Sequence, residues 1–71
     1  DLDARLELAT ALFAAGQVEQ AIDQLLELFK RDRKWNDEAA RKQLVKFFEV
    51  LGPTNPNTVS GRKRLSSLMF A

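Results

Sequence analysis

Apolar residues recur every three or four positions in four separate stretches of this sequence, a spacing typical of helices. In the first stretch Leu2, Leu6, Ala9 and Phe13 follow this spacing, so they share one side of a helix. No stretch alternates between apolar and polar residues as a half-buried strand does. The pattern predicts an all-α chain with helices over residues 2–15, 18–33, 37–51 and 56–70.

Glycine and capping residues mark the ends of these predicted helices. Gly16 follows the first helix and Gly52 the third, where left-handed residues commonly end a helix. Asn36 or Asp37 can cap the start of the third helix, and Asn55 the start of the fourth. Because the gap after Gly16 is short, the first two helices must form an antiparallel hairpin. We predict two such hairpins, stacked on each other.

The fourth predicted helix has the weakest pattern. Gly61 lies inside it, and Arg62, Lys63 and Arg64 interrupt its apolar face. The residues left to pack against the rest of the chain are Val59, Leu65, Leu68, Met69 and Phe70.

The first hairpin, residues 2–35, resembles a tetratricopeptide repeat, a helix-turn-helix unit of about 34 residues. With the turn glycine of that repeat placed at Gly16, the matching residues are Leu8, Ala9, Leu12 and Ala21. Ala9 and Ala21 are small, so the two helix backbones can approach closely. We expect Leu8 and Leu12 to fill the space between the helices.

The second hairpin, residues 36–71, keeps less of the repeat. Leu44, Phe48 and Gly52 recur 36 residues after Leu8, Leu12 and Gly16, but no alanine follows Gly52 at the expected place. We interpret this half as a degenerate or capping unit, and residues 1–71 as a single helical domain. The first residue is Asp1 and not Met, so we expect a fragment of a longer protein.

The order of features along the whole chain resembles a more particular family. The features are a basic turn at 30–34, Arg41-Lys42, Phe47-Phe48, Gly-Pro-Thr-Asn-Pro at 52–56, and the segment at 61–68. This order is similar to the C-terminal helical domain of bacterial thioredoxin-like proteins with tetratricopeptide repeats, the chaperedoxin or co-chaperonin family. The resemblance implies a cytoplasmic module that holds unfolded clients or docks on a GroEL-type chaperonin. Any redox chemistry would belong to a preceding thioredoxin domain.

The composition removes most catalytic and metal-binding chemistry. The chain has no His and no Cys, so the usual triads and an ordinary zinc site cannot form. Ser60, Ser66 and Ser67 have no candidate base except Lys63. No apolar run approaches the roughly 20 residues that a membrane span needs. We therefore expect no enzyme activity, no cofactor, no metal and no membrane insertion.

Charge is divided unevenly along the chain. Residues 1–29 hold six acids and one base, whereas residues 30–71 hold ten bases and four acids. The basic half raises nucleic-acid binding as the alternative function. However, Phe13, Phe29, Phe47 and Phe48 follow the core spacing and are poor candidates for stacking on bases. We favour the simpler interpretation that both faces are solvated in a monomer. Weak self-association between the acidic and the basic half is a third alternative.

The residues that we expect to contact a protein partner lie at the hairpin junction and in the last helix. Trp35 either packs as a lid over both hairpins or stays exposed as an anchor. The end of the last helix either closes the second hairpin or offers its apolar side to another protein. The candidate residues are Trp35, Arg62, Lys63, Arg64, Leu68, Met69 and Phe70.

Overall fold

The computed structural model describes all 71 residues as four helices without a strand. They are α1 (Leu2–Ala14), α2 (Val18–Arg31), α3 (Trp35–Leu51) and α4 (Pro56–Met69). Helices α1 and α2 form one hairpin and α3 and α4 the next, which confirms the predicted all-α fold of two stacked hairpins. Helix α2 packs against each of the other three. None of the four helices combines the length and the apolar content that crossing a membrane requires.

The turn between α1 and α2 closes as the sequence predicts. Gly16 has a φ of 84°, and its amide N–H donates to the carbonyl oxygen of Phe13 over 3.0 Å. The next amide, of Gln17, donates to the carbonyl oxygen of Leu12 over 2.8 Å. These two hydrogen bonds satisfy the last carbonyl groups of α1. The left-handed backbone at position 16 favours glycine, which has no Cβ.

The start of α4 also follows its sequence signal. The side chain of Asn55 accepts a hydrogen bond of 2.8 Å from the amide of Asn57, and Pro56 occupies the first helical position. Pro56 costs no hydrogen bond there because the first amides of a helix have no partner within it.

The junction between α2 and α3 differs from the prediction. Helix α2 ends at Arg31, two residues before the predicted end, because the backbone of Asp32 is extended. The carboxylate of Asp32 then accepts a hydrogen bond of 3.2 Å from the amide of Lys34. The prediction that Asn36 or Asp37 caps α3 is wrong, because neither side chain makes a capping hydrogen bond and both residues have left-handed backbone angles.

The residues that follow Trp35 form a left-handed turn instead of a cap. Asn36, Asp37 and Glu38 have φ angles of 49°, 55° and 60°. Such angles are costly for residues with a Cβ, although Asn and Asp tolerate them better than most. Helix α3 is thus kinked over its first turn and regular after it.

The core draws on all four helices. The ring of Phe13 in α1 stacks on the ring of Phe47 in α3, with centroids 4.0 Å apart and an angle of 12° between the planes. This contact joins the two hairpins. The buried apolar residues are Ala9, Ala21, Ile22, Leu25, Leu26, Leu28, Phe29, Ala40, Leu44, Phe47, Phe48 and Leu65.

Two packing expectations are wrong. Leu8 does not fill the space between α1 and α2, because 47% of it is exposed. In α4, Val59 is exposed instead of packed, and the buried positions include Thr58 and Gly61. Met69 and Phe70 are exposed as well, which is the second of the two alternatives for this end of the helix. The Thr58 hydroxyl is buried without a hydrogen-bond partner. Gly61 is buried because α4 contacts the ring of Phe48 there, so its backbone must approach closely.

Candidate protein-interaction surface

The end of α4 presents apolar side chains to solvent. Leu68 is half-buried against the core, whereas Met69 is 38% exposed and Phe70 is 82% exposed. Phe70 follows the last helical residue, and its amide donates to the carbonyl oxygen of Ser66 over 3.1 Å. We call residues 68–70 the C-terminal segment. Its backbone is fixed while its largest side chain is free to contact another molecule.

The basic turn, residues 30–34, lies beside the C-terminal segment. The guanidinium Nη2 of Arg33 donates a hydrogen bond of 2.7 Å to the carbonyl oxygen of Leu68. The same guanidinium lies 5.0 Å from the ring centroid of Phe29, which holds it over the end of α2. A positive charge at the carboxyl end of α4 also suits the negative end of that helix dipole. The structure therefore brings an exposed apolar end and a cationic turn together.

The three consecutive bases of α4 do not form one site. Arg62 lies 5.9 Å from the ring centroid of Phe48, toward α3. Arg64 donates a hydrogen bond of 2.6 Å to the carboxylate of Asp23, toward α2. Lys63 lies between them, exposed and without an ion pair. Their side chains point apart, so they make no continuous cationic groove of the kind that follows a nucleic-acid backbone.

Trp35 packs against the core and is half-buried. Its position just before the left-handed turn places it at the junction of the two hairpins. The exposed fraction of Trp35 is smaller than the 82% of Phe70.

The acidic and basic side chains of the left-handed turn pair locally. The ammonium of Lys42 donates a hydrogen bond of 2.7 Å to the carboxylate of Asp37 and thereby lowers the pKa of that carboxyl below its ordinary value. Glu38 pairs with Arg41 over 3.0 Å. These pairs are exposed and hold the turn against the body of α3. No group of three or more acidic side chains in the chain is arranged to hold a metal ion.

The sequence does not predict Arg33 as part of this surface. Arg33 belongs to the basic turn, but its contact with Leu68 spans 35 residues. Helical spacing reports only neighbours three or four residues apart, so it carries no signal for this contact.

The family model described as Tetratricopeptide repeat matches residues 1–70 of the chain. Uncharacterized protein Rv1324 of Mycobacterium tuberculosis and Uncharacterized protein Mb1359 of Mycobacterium bovis are each 27% identical to it over 70 residues. The match covers 99% of this chain but 23% of each relative, so the chain spans less than a quarter of their length. No solved structure matches.

Proposed function

Because the chain belongs to the tetratricopeptide repeat family, we propose that it is a non-catalytic module that binds another protein through its C-terminal segment and basic turn. Helical repeats of this kind offer extended surfaces for binding other proteins. The observation that carries the proposal is the exposed Phe70 beside Arg33. Aromatic and arginine side chains contribute most of the binding energy at many protein interfaces.

A surface of this composition suits a partner with exposed apolar side chains flanked by carboxylates. Phe70 and Met69 would enter an apolar patch, and Arg33 and Lys34 would meet the acidic groups around it. Such chemistry fits an unfolded client or the apolar rim of a chaperonin. Together with the resemblance along the whole chain, it supports a role as the C-terminal part of a bacterial cytoplasmic co-chaperone of the thioredoxin-like class.

The experiment immobilises a GroEL-type chaperonin, and in parallel a permanently unfolded protein, and passes the 71-residue chain over each at low salt. We expect binding that Phe70→Ala weakens about tenfold, since the substitution removes the exposed ring. Val50→Ala is the matched control: Val50 is 73% exposed but lies on α3. Absence of binding to both surfaces, or equal losses in the two variants, would contradict the proposal.

A further inference from the structure

Helix α1 carries apolar residues on the side that faces the core and also along part of its solvent side. Ala4, Leu8, Ala11 and Ala15 follow one another at steps of four, three and four residues, and all are exposed. We call these four residues the α1 strip. Helix α1 has its packed neighbours on one side only, so its second apolar side lacks a partner.

The neighbours of α1 fix the direction in which this strip faces. Phe13 points toward α3, where it stacks on Phe47. Arg5 points toward α2, where its guanidinium donates a hydrogen bond of 2.8 Å to the side chain of Gln24. With about 100° of rotation per residue, the strip lies on the opposite side of α1 from Phe13. A shallow groove opens beside it, lined by Asp1, Ala4, Arg5, Leu8 and Gln24.

A second strip with the same spacing runs along the solvent side of α4. It consists of Val59, Lys63, Ser66 and Phe70, again at steps of four, three and four residues, and all are exposed. We call these residues the α4 strip. The buried residues of α4, such as Leu65, lie on the opposite side of the helix. Two of the most exposed apolar side chains of the chain, Val59 and Phe70, are therefore in one line.

The helices that bear the two strips differ in charge. Helix α1 and its cap contribute Asp1, Asp3 and Glu7, and the only base, Arg5, is engaged by Gln24. Helix α4 contains three bases and no acid. Arg64 is paired with Asp23, so Arg62 and Lys63 remain without an ion pair beside the α4 strip. Opposite charges at the edges of two apolar surfaces favour their association and set their orientation.

We propose that the α1 strip of one copy of this chain docks on the α4 strip of a second copy, head to tail. The alanines of the α1 strip leave room for the larger Val59 and Phe70 of the second copy. Because the two strips belong to different helices, the contact is heterologous and leaves one strip free at each end. Short stacks therefore grow with concentration instead of stopping at a dimer. This inference does not depend on the identity of the partner proposed above.

Sedimentation velocity of the 71-residue chain from about 10 µM to 1 mM tests the contact. We expect an average mass that rises with concentration and falls when salt is raised from about 0.05 to 0.5 M. Leu8→Glu and Val59→Glu should each weaken association about tenfold or more, because each places a carboxylate in an apolar contact. Val50→Glu is the control, since Val50 is highly exposed but belongs to neither strip. If circular dichroism shows that Leu8→Glu unfolds the chain, Ala11→Glu replaces it.

A mixing experiment distinguishes this geometry from other forms of self-association. Leu8→Glu keeps the α4 strip and Val59→Glu keeps the α1 strip, so an equimolar mixture should form a one-to-one dimer that grows no further. A monomer at every concentration, a mixture that stays monomeric, or equal weakening by Val50→Glu would overturn the proposal. Leu8→Glu leaves the C-terminal segment intact, so its binding to immobilised chaperonin reports on the proposed function separately.

Discussion

The backbone of Gly61 lies directly against the ring of Phe48, so close that a methyl group on its Cα would sit 2.6 Å from Cε1 and 2.8 Å from Cζ. The same methyl group would lie 3.4 Å from Cγ2 of Ile22. Helices α2, α3 and α4 therefore meet at one point. This close packing requires a glycine, although glycine lowers the stability of a helix relative to alanine.

Gly61→Ala should destabilise the chain by about 1 to 3 kcal/mol, because Phe48 is buried and must shift to admit the methyl group. In an open helical site the same change would stabilise by about 1 kcal/mol. Urea unfolding followed by circular dichroism measures the difference. Ser66→Ala, an exposed site on the same helix, is the control and should change stability by less than about 0.5 kcal/mol. A stabilised Gly61→Ala variant would show that α4 does not pack as described.

Thr58→Val should stabilise the chain by about 1 kcal/mol. The Thr58 hydroxyl is buried and has no hydrogen-bond partner, whereas valine has the same shape without a polar group to desolvate. Thermal unfolding of the two proteins is the measurement. Thr54→Val, in the exposed loop before α4, provides the comparison and should be close to neutral. A destabilised Thr58→Val would mean that the hydroxyl is bonded in solution.

Glu38→Gly should stabilise the chain by about 0.5 kcal/mol. Glu38 has a φ of 60°, which costs a residue with a Cβ about 1 to 2 kcal/mol. Glycine avoids this strain, and the gain is larger than the loss of the exposed ion pair between Glu38 and Arg41. Glu49→Gly is the matched control, because Glu49 is exposed in the regular part of α3 and should lose about 1 kcal/mol. Equal losses in the two variants would argue against the left-handed turn.

Asp37 should titrate below its ordinary pKa of 3.8, because Lys42 stabilises the charged carboxylate. A lowered pKa in the folded state means that the unfolded chain binds the proton more readily. The ionised Asp37 thus adds stability above pH 3.8, and this is lost as the pH falls through the folded-state value. Carboxyl chemical shifts followed against pH measure the titration. Lys42→Ala should return the pKa toward 3.8, and Lys46→Ala should leave it lowered.

Arg33→Ala should loosen the end of α4. The substitution removes the hydrogen bond to the Leu68 carbonyl oxygen, so the amide of Phe70 should exchange with deuterium several-fold faster. Arg31→Ala, which removes an exposed pair with Glu27 in α2, should leave that exchange rate unchanged. Unchanged exchange in Arg33→Ala would show that the basic turn and the C-terminal segment are not linked.

The first hairpin could be predicted closely because its signals are local. Gly16 and the apolar spacing around it determine where α1 ends and how α2 returns. The start of α3 could not be predicted in the same way, since Asn and Asp favour both helix caps and left-handed backbone. Nothing in the sequence around Asn36 and Asp37 decides between the two.

The second hairpin shows how loop length conceals a repeat. Leu44 and Phe48 recur at 36 residues, but in α4 the buried Gly61 and Leu65 stand 40 residues after Ala21 and Leu25. Helix α4 begins four residues after Gly52 and α2 two residues after Gly16, so the loop accounts for half of this shift. Gly61, the small buried residue of α4, lies two positions further into its helix than Ala21 does. Apolar spacing predicts Leu68, Met69 and Phe70 as candidate contact residues, whereas the contact from Arg33 to Leu68 is visible only in the fold.

The stacking of Phe13 on Phe47 also has a consequence for synthesis of the chain. A ribosome adds about 5 to 20 residues per second, so Phe47, which is 34 residues downstream, follows Phe13 by about 2 to 7 s. During this interval the first hairpin emerges with one face of an aromatic ring uncovered. Until α3 packs against Phe13, the nascent chain exposes an apolar surface that another protein can bind.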